Sequence, residues 1–189
     1  MGDVNFIIVE GLNKEKIFSD STICRKCGGI CCKNCGCTFS PNDFYVLRHQ
    51  NFSEEERYRY LKHFLKRGYA CISIKTINAS KGSIFGDVYV PRHITLEYLL
   101  SGEAALYLRM RNKGEKIVKV IRLDEKTNGC VCLGKNGCKF PFSRRPRGGR
   151  ELIPNVVGNC AVAYPEILAA IEWYPYQKIL YKLYLEFNK

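Results

Sequence analysis

All but one of the 11 cysteines in this 189-residue chain fall in or beside two short stretches. The first, residues 24–37, reads CRKCGGICCKNCGC and carries Cys24, Cys27, Cys31, Cys32, Cys35 and Cys37. The second carries Cys130, Cys132 and Cys138, with Cys160 further on. A C-x2-C spacing lets one tight turn aim two thiolates at a single ion. The neighbouring Gly28 and Gly29 allow backbone N–H groups to approach the sulfurs. Thiolate is a soft donor, so the chemistry this pattern points to is zinc binding or an iron–sulfur centre. Both accept thiolate, and the spacing leaves the two open. A disulfide framework is the competing reading, disfavoured for clustered cysteines in a reducing compartment. Cys71 lies apart in an apolar strand pattern and reads as a buried, inert thiol. His49, His63 and His93 lie outside both clusters and read as helix-face or loop residues.

A second group of residues able to do chemistry is the run SRRPRGGR, with Arg144, Arg145, Arg147 and Arg150 around two glycines. Guanidinium groups grip phosphate or carboxylate in a fixed fork geometry. Arg145, Arg147 and Arg150 are therefore candidate cofactor-binding residues. A solvated basic loop, or arginines that balance thiolate charge, accounts for them as well. There is no Walker loop, no G-x-G-x-x-G and no H-x-x-x-H pair. The usual nucleotide-binding sheet is therefore unsupported.

Taken together, C-x2-C, the Cys31–Cys32 pair and Asp43 at a helix start resemble the zinc- or iron-chelating family named for its CxxCxxCC motif, the YkgJ-type proteins. That family's later segment reads approximately C-x-x-L, a glycine and cysteine, R-P-x-x-C and a final cysteine. The chain has Cys130-Val131-Cys132-Leu133, Gly137-Cys138, Arg145-Pro146 and Cys160. The resemblance covers residues 24–47 and 130–160. It departs in three places: one extra residue precedes Cys31, Gly149 stands where R-P-x-x-C has its cysteine, and Cys35, Cys37 and Cys132 are additional. The resemblance implies metal chelation, with Cys132 or one of the early extra cysteines available to replace the missing ligand. It also implies a distant similarity to flagellin lysine methylase, and with it cluster-dependent methyl transfer.

The elements that must position these residues can be read from pattern. Ser40, Pro41 and Asp43 form a helix start, and Ser53 with Glu56 forms a capping box for a helix that Gly68 ends. Residues 4–9, 71–77, 84–90 and 117–123 read as strands, with 84–90 as the hairpin partner of 71–77. Residues 104–110 are helical or extended. Thr95 caps a helix through Leu100, and two helices divided at Pro175 close the chain. The expected fold class is α+β: one small domain over 1–189, several helices, a short antiparallel sheet, and cysteine-rich loops held by metal at 24–47 and 130–160. Adjacent cysteines direct their side chains apart, and the second cluster has too few close cysteines for a four-thiolate site of its own. The two clusters are therefore expected to meet and to share metal.

Composition is ordinary for a globular chain, 46% hydrophobic and 25% charged. No apolar run reaches the roughly 20 residues that span a bilayer, and the N-terminus lacks signal-peptide features. The expected setting is the cytoplasm. A formal net charge of +12 suits acidic protein or nucleic acid as partner without choosing between them. The leading functional reading is a cysteine-cluster metalloprotein. An iron–sulfur enzyme of the lysine-methylase type and a basic, metal-stabilised nucleic-acid module are the alternatives. Oligomeric state is left open.

Overall fold

In the computed structural model, residues 29, 32, 37–77, 93–119, 128–135, 137–153 and 161–189 are described. The expected strands at 4–9 and 84–90, the end of the 117–123 strand, and Cys24, Cys27, Cys31, Cys35 and Cys160 lie outside them.

The centre of the fold is an antiparallel pair, β1 (Ala70–Thr76) and β2 (Ala104–Met110), in register from Ala70 opposite Met110 to Thr76 opposite Ala104. Every residue of β2 is buried. Among the described residues, the antiparallel partner of β1 is 104–110, which the sequence left between helix and strand. Each outer edge carries a further extended piece. Ile72 on β1 bridges Val118 in parallel, and Arg109 on β2 bridges Thr38.

Helices cover this sheet. A 3-10 turn at Pro41–Asp43 and the single turn α1 (Tyr45–Arg48) follow the Thr38 strand piece. Ser40 caps the first of these with a full capping box to Asp43. The helix α2 (Glu54–Lys66) starts on the Ser53–Glu56 box and stops at Gly68, whose φ is +75°. The short α3 (Leu96–Leu100) is capped by Thr95. A small hairpin, β3 (Leu133–Gly134) with β4 (Gly137–Cys138), and a turn at Phe142–Arg144 lead to the single turn α4 (Arg147–Arg150). After the pair β5 (Leu152–Ile153) and β6 (Ala161–Val162) come α5 (Glu166–Trp173) and α6 (Gln177–Phe187), joined by a 3-10 turn at Tyr174–Tyr176. The architecture is α+β.

Trp173 is fully buried and donates from Nε1 to the Phe39 carbonyl at 2.7 Å, which fixes α5 to the sheet edge. The apolar stripe of α6, Ile179, Leu180, Leu183 and Tyr184, is buried, as its helical spacing predicts. Gln177 occupies the same edge as a side-chain amide. Its Oε1 accepts from Leu106 N at 2.8 Å, and its Nε2 donates to Leu106 O at 2.9 Å. Phe39 N donates to Leu108 O and Met110 N donates to Cys37 O, continuing the row. Among the described residues, no helix is long and apolar enough to cross a membrane.

Candidate functional site

The end of β2 gathers cysteines from both sequence clusters. On one side, the Met110 bond to Cys37 O holds Cys37 against the last strand residue. Past the strand end, Asn112 bridges Cys130, with Val131 N donating to Arg111 O and Lys113 N to Gly129 O. Cys130 N in turn donates to Cys32 O at 2.7 Å, tying residues 98 positions apart in the chain. The β3–β4 hairpin places Cys138 opposite Leu133, and Lys139 N returns a bond to Cys132 O.

The result is a small, partly open cavity with Cys32, Cys37, Cys130 and Cys138 in its wall. Met110, Phe140, Pro146 and Leu152 make the wall largely apolar, and Arg145 brings the one formal charge among the described lining residues. Cys32, Cys130 and Cys132 are buried, while Cys37 and Cys138 are half-buried. Burial pushes the Cys132 thiol up to about 12, with Cys130 and Cys138 adding to the shift. Burial raises the Cys130 thiol as well, against a hydrogen bond from Cys132 N to its sulfur at 3.4 Å. A buried thiol resists ionisation unless a cation offsets the charge. The four sulfurs share a cavity without converging on a point. Among the described residues, no group of three His, Cys, Asp or Glu side chains has the geometry to hold one ion.

Part of the cavity wall is Arg145, Pro146 and Gly149, in a run whose Arg147 and Arg150 are held by carboxylates. Asp43 Oδ2 accepts from Ser40 N at 3.0 Å and Arg147 N at 2.9 Å, while its Oδ1 accepts from Arg150 Nη2 at 2.7 Å. Arg147 is bound to Glu151 at 2.7 Å and to Glu172 at 2.6 Å, with its guanidinium 4.3 Å over the Tyr164 ring. The Tyr164 and Ser40 hydroxyls both donate to the second Glu172 oxygen. Burial favours the neutral form of Glu172, but these hydrogen bonds and the Arg147 charge outweigh it and hold the carboxyl below its ordinary range. Close approach demands glycine at position 148, where a Cβ would lie 2.5 Å from Thr38 Oγ1. Gly149 faces the cavity beside Cys37.

Of the three candidate cofactor-binding arginines, Arg147 and Arg150 are ion-paired within the chain. Arg145 lines the cavity, donates from Nε to Phe140 O, and has no carboxylate partner among the described residues. Cys71 is fully buried in β1, and burial pushes its thiol up to about 11. His49, at the end of α1, packs against Tyr45 with the rings tilted; His63 is exposed on α2 and His93 is exposed before α3. Sequence reasoning missed Glu172, Tyr164 and the apolar wall. Glu172 carries a weak signal, being an acid inside the apolar run EILAAIEW.

Comparison of the chain with protein-family models, curated proteins and solved structures finds no match. The family resemblance rests on the motif residues alone.

Proposed function

We propose that this chain is a metal-binding protein in which cysteines from two distant segments build one thiolate centre, zinc or iron–sulfur, that pins the cysteine-rich loops together. One observation carries the reading: Cys32 and Cys37 from the first cluster share a cavity wall with Cys130 and Cys138 from the second. Thiolate donors in an apolar, partly shielded wall suit soft or borderline metals. Cys24, Cys27, Cys31, Cys35, Cys132 and Cys160 are the further donors the sequence offers. Structural zinc supplies on the order of 10 kcal/mol of apparent binding free energy in small peptides, which is ample to order loops with little apolar surface of their own.

The test is elemental analysis of protein purified without oxygen. At least one zinc or iron per chain is expected, and less than one overturns the reading. A second reading, an iron–sulfur enzyme, is favoured by Arg145, whose guanidinium stands at an open cavity where a substrate carboxylate could dock. An anaerobic ultraviolet–visible spectrum separates the two. Broad absorption near 400 nm accompanies a cluster, whereas a colourless, zinc-loaded protein removes the enzyme reading.

A further inference from the structure

The loop that follows α2, the end of β2 and the segment after the β3–β4 hairpin meet at a surface that adjoins the thiol wall, with Phe140 common to both. Gly68 lies under the Arg111 guanidinium, since a Cβ there would sit 3.1 Å from Arg111 Nη2. Arg111 N donates to Tyr69 O at 2.8 Å. The Tyr69 ring meets the Phe140 ring edge-on, with centroids 5.6 Å apart, and Lys139 precedes Phe140. Lys113 is exposed in the turn after Asn112, and Arg111 is half-buried, with its Nε enclosed and its guanidinium over Gly68. Arg67, Lys113 and Lys139 are exposed, and Tyr69 is 44% exposed.

Among the described residues, no carboxylate pairs with Arg67, Arg111, Lys113 or Lys139. Arg111 reaches only the backbone oxygen of Glu115, at 3.3 Å, while the Glu115 carboxylate is taken by Arg109 and Asn112. Arg59, Lys62, Lys75 and Lys182 are each matched to a glutamate, whereas Arg48, Arg144 and Lys178 likewise have no carboxylate partner among the described residues, so it is the gathering of such cations around an exposed ring that marks this surface. The surface thus combines unmatched cations with an exposed ring that its aromatic neighbour braces. Phosphates spaced along a strand meet the cations, and an unstacked base meets the ring. A duplex keeps its base faces covered and leaves the ring unused.

We infer that the surface formed by Arg67, Tyr69, Arg111, Lys113 and Lys139 binds single-stranded nucleic acid. The inference does not rest on metal binding.

The test is fluorescence anisotropy with a labelled thymidylate oligomer and a matching uridylate oligomer of about 12 nucleotides, using the whole chain at low and moderate salt. Tyr69→Ala should weaken binding by about fivefold or more, the lower end of what one stacked base contributes, while Tyr69→Phe retains it. Lys113→Glu with Lys139→Glu should weaken binding at least tenfold and flatten the salt dependence. Lys178→Glu, a single charge reversal on α6, serves as the remote control and should change little. Circular dichroism checks that each variant stays folded. Undetectable binding at low salt overturns the inference. So does duplex binding equal to single-strand binding with no loss in Tyr69→Ala, or a Lys178→Glu loss as large as that of the lysine pair.

Discussion

A side chain built on Gly149 would begin 3.1 Å from the sulfur of Cys37. The two positions, 112 residues apart in sequence, therefore address the same corner of the cavity. A side chain at 149 would crowd the Cys37 sulfur, which would have to give by a few tenths of an ångström.

That crowding makes a ligand exchange testable. Cys37→Ala should lower metal content, and adding Gly149→Cys should recover it, because removing the sulfur opens the space the new side chain needs. Metal per chain by mass spectrometry reads the result. A double variant no better loaded than Cys37→Ala would show that Cys37 is not the ligand occupying that corner.

Cys138→Ser should reduce metal content and speed proteolysis within residues 24–37, since the hairpin cysteine and the first cluster share one centre in this reading. Cys71→Ser should leave metal content unchanged while costing stability through a buried hydroxyl in β1, about 1–3 kcal/mol. Full metal and full protease resistance in Cys138→Ser would dissolve the shared centre.

Asp43 satisfies two backbone N–H groups and one guanidinium with its side chain 7% exposed. Its replacement by alanine leaves those donors without their partner. The expected loss is about 2–4 kcal/mol in urea unfolding, with hydrogen exchange at residues 147–150 rising ahead of global opening. A loss under about 0.5 kcal/mol, typical of an ordinary surface site, would mean the turn is held by other contacts.

Arg109 and Glu115 form a buried pair with distances of 2.9 and 3.0 Å. Burial opposes the Glu115 charge, yet the bonds from Arg109 and Asn112 prevail and keep its carboxyl below the ordinary value. A depressed carboxylate contributes stability above its unfolded pKa of about 4.3, and that contribution fades as pH falls through the folded value. Glu115→Gln should therefore cost about 3 kcal/mol at neutral pH, with the gap to the parent narrowing below about pH 4. Denaturant titrations across pH 3–7 check this; a gap that widens in acid contradicts the assignment.

Local chemistry was the legible part of the chain. Ser53 and Glu56 lie three residues apart, so their box could be read directly, as could the Thr95 cap and the buried stripe of α6. Pairing across distance was not. Residues 84–90, which lie outside the described residues, match the apolar pattern of a partner for β1 as well as 104–110 do, so pattern alone could not reveal that 104–110 pairs with it. At the site, clustering identified the cysteines and adjacent-residue geometry suggested that the clusters meet. Nothing local marks Glu172 as the carboxylate that holds Arg147, because its partners Ser40, Tyr164 and Arg147 come from three other places in the chain.

The Gln177 amide takes both the donor and the acceptor of Leu106, and the Cys37–Phe39 backbone takes the next ones along. A strand arriving from another molecule would find no free ladder on this side of β2. Exposed sheet edges are where β-rich chains zip into one another and precipitate. Here a single side chain extends the ladder past the end of its strand partner. The sheet that carries the thiol cavity is thereby shielded along this edge from joining its own copies.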